Sequence, residues 1–123
     1  RRRKPYYTMS FTYEFQDSDD TVYFAYAIPY TYSQLTTFLD TIPRTFNSTK
    51  IVTQDTFCYT LSGVEVPLLT IHNWESACAD KKCIVVTGRV HPGETNGSWM
   101  MEGFLRFITG DDPMAIYLRE RIV

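Results

Sequence analysis

Two histidines stand in the chain, and each is followed three residues later by a glutamate: His91-Pro92-Gly93-Glu94 and His72-Asn73-Trp74-Glu75. An imidazole nitrogen and a carboxylate oxygen are both good ligands for Zn²⁺, at about 2.0–2.2 Å. A two-residue spacer lets both side chains turn toward one ion from a tight bend. The pattern alone is cheap. With six Glu in 123 residues, a given His meets one at the third position about one time in twenty.

Context separates the two pairs. His91 closes an apolar run, Cys83 to Val90, that reads as a strand covered on both faces, and a helix follows it. In open α/β sheets, ligands bind in the crevice at the carboxyl ends of the strands. Pro92-Gly93 sets a sharp bend that preorganises His91 and Glu94. His72 and Glu75 run into a polar loop with no such bend. His91 and Glu94 are therefore the candidate metal pair. The plainer reading is a solvated His with a Glu at a helix N-terminus. His72 and Glu75 read first as an exposed loop pair.

A catalytic zinc normally takes three protein ligands plus water, so two donors leave the set incomplete. His72, Cys78 and Cys83 match no common zinc-finger spacing, and the three Cys read as free thiols. Glu102 and Glu120 fall on or near apolar helices and read as solvated helix faces. The G-x-S-x-G, P-loop and G-x-G-x-x-G patterns do not occur.

These side chains need elements to hold them. Tyr7, Met9, Phe11, Tyr13 and Phe15 alternate with polar residues, which predicts a half-buried strand. Asp17 to Asp20 is a polar turn, and Thr21 to Ile28 reads as the returning strand. Two strands alone are marginal in water, so this hairpin belongs to a larger sheet. Leu35, Phe38, Leu39 and Ile42 then mark one face of a helix, capped by Thr31 or Ser33 and ended by Pro43. The change of period near Tyr30 to Tyr32 marks a candidate domain boundary, between 1–29 and 30–123. A second hairpin is expected from about Phe57 to Ile71, turning at Ser62-Gly63, with Pro67 at an edge or bulge. After His91 the pattern predicts a helix over about Ser98–Thr109, on the face Met101, Phe104, Leu105 and Ile108. Its N-cap would be Thr95, Asn96 or Ser98, and Gly110 follows its end. Pro113 opens a short helix to about Arg121. The order of elements suits a mixed α/β sheet.

Composition fits this reading. The hydrophobic fraction is 44% and the charged fraction 21%, which excludes a disordered or low-complexity chain. No apolar run approaches the ~20 residues of a membrane span. Four of the 12 Lys and Arg occupy positions 1–4, so 8 remain against 14 Asp and Glu. An acidic body of that kind speaks against a nucleic-acid groove, and the basic head Arg1 to Lys4 reads as a solvated linker end. The chain begins with Arg and stops after an apolar Ile122-Val123. Both ends read as cut, which leads one to expect an excerpt of a longer protein.

Residues 87–105, Thr-Gly-Arg-Val-His-Pro-Gly-Glu-Thr-Asn-Gly-Ser-Trp-Met-Met-Glu-Gly-Phe-Leu, resemble the first zinc motif of the cytosolic carboxypeptidases, a branch of the zinc carboxypeptidases. Tyr6 to Thr12 with Tyr23 to Tyr26 resembles the end of that family's N-terminal β-sandwich. Pro29 to Leu35 resembles the opening of its catalytic domain, and Leu61-Ser62-Gly63 with Pro67 to Ile71 also fits. The resemblance implies a zinc-carboxypeptidase mixed-sheet domain preceded by the last strands of a β-sandwich. It implies Zn²⁺ as the cofactor and His91 and Glu94 as two of its ligands, and leaves His72 and Glu75 unassigned. It implies removal of C-terminal glutamates from tubulin and other polyglutamylated tails, in the cytoplasm and in association with microtubules or cilia. Neither nucleic acid nor membrane is expected as a partner. The family's third ligand, its substrate-binding Asn-Arg and its catalytic Glu have no counterpart here, so the chain alone is expected to be inactive. The alternative is a non-catalytic structural or interaction module of the same ancestry, bound to microtubules.

Overall fold

Pro29-Tyr30-Thr31 leads into α1, Tyr32–Thr41, in the computed structural model, which describes residues 6–123. The basic head Arg1 to Lys4 lies outside the described residues. Of the two expected caps, Thr31 is the one used. Its hydroxyl accepts from the Gln34 N–H at 3.1 Å, and the Gln34 side-chain carbonyl accepts from the Thr31 N–H at 2.7 Å. This reciprocal box satisfies two N–H groups that a helix start leaves without partners. The helix buries Phe38 and Leu39, joined by Ile42 just past its end.

Next come β1, Thr45–Phe46, and β2, Thr49–Lys50, paired antiparallel across Asn47 and Ser48. Those two residues have φ of 47° and 68°, the left-handed pair that a two-residue hairpin turn uses. β3, Val52–Tyr59, then pairs antiparallel with β4, Glu65–Ile71. This is the expected second hairpin, with a first strand that starts five residues earlier than its apolar pattern indicated. Thr56 lies opposite Pro67 and Cys58 opposite Val66, so Phe57 is an extra residue in the ladder. The bulge falls beside the proline, which has no N–H to give to the ladder. Gly63, at φ 77°, closes the turn with a bond to the Thr60 carbonyl at 2.9 Å.

The first expected hairpin does not form. Over Tyr6 to Ile28 no residue joins a ladder, and nearly all are exposed. The aromatic side chains of the two halves still meet, Phe11 with Phe24 at 5.0 Å and Tyr13 with Phe24 at 5.4 Å between ring centres. The alternation makes the two halves attract. With no further layer to cover their apolar face, they gain too little to hold a ladder. The strand expected at Cys83 to Val90 is also corrected. Lys82, just before the run, makes one parallel bridge to Ile122, and within the run the Ile84 N–H bonds the Val123 carbonyl at 2.8 Å. Beyond that no ladder forms, and Ile84, Val85, Val86 and Val90 are 51–82% exposed.

α2 runs over Thr95–Thr109 and α3 over Pro113–Arg119. α2 starts three residues before its expected start, directly after Glu94, and no side chain caps it. Gly110 ends it in extended backbone, not a left-handed turn. A Cβ there would lie 3.0 Å from the Arg106 carbonyl, so space is what selects glycine. The Asp112 carboxylate caps α3 through the Met114 N–H at 2.8 Å. The core joins Phe38, Leu39 and Ile42 to Ile51 and Val52, and to Leu105 and Ile108 of α2. Each such side chain contributes about 1.5–3 kcal/mol by leaving water, and together they fix α2 against α1 and β3. Arg119 is also buried, and its guanidinium donates to the carbonyls of Ile108 and Gly110 at 2.7 and 2.8 Å. It thereby ties α3 to the end of α2. No described helix is long and apolar enough to cross a membrane.

Candidate metal centre

His91 and Glu94 come from one tight turn. The Glu94 N–H bonds the His91 carbonyl at 3.0 Å, and the Gly97 N–H bonds the Glu94 carbonyl at 3.2 Å. The chain therefore bends at Pro92-Gly93 and runs straight into α2. Both side chains are exposed. They border one open hollow of ≈ 190 Å³, whose other walls are Thr87 to Val90 and Gly97. Glu94 sits at the head of α2, where unpaired N–H groups favour negative charge.

The first turns of α2 lie beside the segment that lines this hollow. A Cβ on Gly88 would meet Met101 Cβ at 3.4 Å and the Gly97 carbonyl at 3.6 Å, and one on Gly97 would meet the Arg89 nitrogen at 3.5 Å. These are ordinary van der Waals distances, so the first turns of α2 pack against the segment that delivers His91 with room for a Cβ at either glycine. Tyr30 is buried beside the first turns of α2. Its ring meets Trp99 edge-on at 4.8 Å, and its hydroxyl donates to Glu102 at 2.8 Å. Burial and then the carboxylate bond push the Tyr30 pKa up to about 12. The Arg106 guanidinium grips the other Glu102 oxygen at 2.7 Å and holds that carboxyl below the usual carboxylate range, against the opposing effect of burial. Glu102 is thus wired into the fold, not a solvated face. Glu120 is likewise engaged, accepting from the Asn73 side chain at 2.6 Å.

His72 stands apart from this site. It is 4% exposed, stacked on Trp74 at 4.3 Å, with its Nδ1 at 2.9 Å from the Asn73 carbonyl and 3.2 Å from Lys81 Nζ. Burial lowers its pKa, and the nearby ammonium acts the same way against the pull of the carbonyl. A buried ring beside a lysine is a poor place for a dication, so the expected exposed loop pair is corrected for His72: it is a packed core group. The cysteines Cys58, Cys78 and Cys83 are free thiols, as expected, and exposed.

An imidazole and a carboxylate on one rim are the donor types that Zn²⁺ takes, so the pair fits the metal as two of its ligands. Among the described residues, no cluster of three or more His, Cys, Asp or Glu is placed to share an ion. Tyr30, Arg89, Ser98 and Trp99, which bond or pack around the bend, had no site role in the sequence pattern. The one legible signal was their nearness in sequence to the two donors or to the start of α1.

No family model matches the chain. Human cytosolic carboxypeptidase 4 is 40% identical over 129 residues, covering 98% of this chain and 12% of that protein. Cytosolic carboxypeptidase 2 of Xenopus tropicalis is 45% identical over 120 residues, covering 95% of this chain and 12% of its own length. The chain therefore spans about an eighth of the length of these curated relatives. Among solved structures, a metallo-carboxypeptidase from Burkholderia cenocepacia superposes with a TM-score of 0.63 at 26% identity, over 76% of this chain and 24% of that one. Sequence likeness over nearly the whole chain and a shared metallo-carboxypeptidase fold agree: along the stretch that it spans, the chain is similar to the cytosolic carboxypeptidases.

Proposed function

We propose that the chain contributes His91 and Glu94 as two zinc ligands of a metallocarboxypeptidase that removes C-terminal glutamates from tubulin and other protein tails. The observation that carries this reading is the turn that places an imidazole and a carboxylate on one open hollow at the head of α2, in a chain similar to cytosolic carboxypeptidases. When bound, Zn²⁺ would supply Lewis-acid polarisation of a peptide carbonyl and a water of lowered pKa. The part of this chain is positional. The Pro92-Gly93 bend presents both donors to one side, and α2, anchored by Leu105 and Ile108, keeps the Glu94 end of the bend fixed. The relatives' names support a cytoplasmic setting, and polyglutamylated tails support microtubules as the place of action.

The test is release of glutamate from a peptide ending in glutamates, with Zn²⁺ supplied. The 123-residue chain alone is expected to release none, since two protein donors fall short of the three that a catalytic zinc uses. A longer polypeptide that contains it is expected to release glutamate and to lose that activity on His91→Ala. Activity unchanged by His91→Ala would overturn the reading.

A further inference from the structure

Arg89, two residues before His91, has the left-handed backbone that non-glycine residues avoid, with φ at 60°. An arginine kept there at a cost of about 1 kcal/mol or more calls for a compensating set of contacts. Its side chain has them. Nε donates to the Pro92 carbonyl at 2.7 Å, inside the bend itself. Nη1 reaches the Tyr30 carbonyl at 3.2 Å and the Ser98 hydroxyl at 3.2 Å. One planar fork thus joins the bend, the first turn of α2 and the residue that leads into α1. The guanidinium is suited to this because its N–H groups diverge in a fixed plane, which an ammonium cannot imitate.

We infer that Arg89 is a positioning residue for the metal pair: its fork holds the His91-Pro92-Gly93-Glu94 bend in the shape that presents both donors to one ion. The inference rests on the reading of His91 and Glu94 as ligands, and deepens it. It also runs against simple electrostatics, which makes it testable. A fixed positive charge two residues from a dication site opposes metal binding. If Arg89 acted through its charge alone, removing it would tighten the metal. If it acts by holding the bend, removing it weakens the metal despite the relief of repulsion. Groups that orient ligands without touching the metal change affinity by about 10–100-fold where they bond the ligand directly. Arg89 bonds the bend and not the ligand side chains, so a loss of about tenfold is expected.

The experiment titrates the 123-residue chain with Zn²⁺ and follows its imidazole NMR signals. The chain has two His, and buried His72 serves as an internal reference that should not move. His91→Ala and Glu94→Gln come first. If neither changes Zn²⁺ binding, the ligand reading falls, and the role of Arg89 falls with it. If both do, Arg89→Asn decides, because Asn tolerates φ near 60° and removes the fork together with the charge, whose loss alone would tighten the metal. Weaker Zn²⁺ binding with the thermal midpoint retained supports the inference, whereas unchanged or tighter binding overturns it. Arg89→Lys keeps both the charge and the backbone cost but loses the fork, and covers the case in which Arg89→Asn fails to fold. It is expected to bind Zn²⁺ more weakly than the parent chain, and parity with the parent overturns the inference.

Discussion

Replacing Arg119 by Met asks what a buried guanidinium contributes at the junction of α2 and α3. Arg119 is 2% exposed and donates to the carbonyls of Ile108 and Gly110. Its guanidinium lies 5.0 Å from the centre of the Phe46 ring. Bonds from a charged donor contribute about 1.5–3 kcal/mol each, and a desolvated cation over a ring contributes about 2 kcal/mol. Against this stands the cost of taking the cation out of water, visible in the lowering of its pKa by burial. Methionine avoids that cost and fills much of the space, but it leaves two carbonyls without a partner. We expect a net loss of about 3 kcal/mol. Arg121→Met is the control. Arg121 is exposed, stacks on Tyr117 at 3.7 Å and bonds only the Tyr117 carbonyl, at 3.2 Å, so its removal should cost less than about 0.5 kcal/mol. Urea unfolding followed by circular dichroism measures both variants. Equal midpoints for the two, at unchanged slope, would refute the assignment of Arg119 as the tie between the helices.

Thr31→Ala removes the hydroxyl half of the capping box and should lower stability by about 1 kcal/mol, while Ser33→Ala, which makes no cap, should leave the urea midpoint in place. Leu105→Ala opens a void between α1, α2 and β3 and is expected to cost about 3 kcal/mol; a cost below that of an exposed change such as Met100→Ala would contradict the packing described. His72 has a pKa held below its usual 6.5 in the folded chain, so the unfolded chain takes up the proton first. Stability should therefore be full above pH 6.5, decline as pH falls below it, and level off beneath the depressed folded value. The thermal midpoint of His72→Gln should lack that step, and an identical pH profile for the two chains would rule His72 out as its source.

Local rules were legible wherever the chain carries its own partner. Thr31 and Gln34 cap each other within three residues. Ser62-Gly63 closes a hairpin whose two strands adjoin in sequence, and Met101, Leu105 and Ile108 turn inward on α2 as their spacing predicts, although Phe104 of the same predicted face stays exposed. The same rules misled where an element depends on neighbours distant in sequence. Tyr7 to Phe15 and Cys83 to Val90 have the composition of strands, but a strand exists only when another pairs with it. Glu102 and Glu120 looked solvated because helical spacing says nothing of Tyr30, 72 residues from Glu102, or of Asn73, 47 residues from Glu120. His91 and Glu94 were legible as a pair because one turn makes their geometry. Arg89 was not, since neither its left-handed backbone nor its reach to Tyr30 follows from a motif.

The exposed run from Ile84 to Val90 ends at His91. Its apolar side chains face water, and beyond Ile84 its backbone joins no ladder. Unpaired apolar backbone of this kind can pair with a strand from elsewhere. A strand seated there would restrict the backbone directly ahead of the bend and leave His91 and Glu94 fewer arrangements to lose on taking up an ion. Coupling of this kind is reciprocal: whatever free energy edge pairing lends to metal binding, metal binding lends to edge pairing. If His91 and Glu94 hold an ion as proposed, sheet completion and metal affinity would be two readings of a single equilibrium.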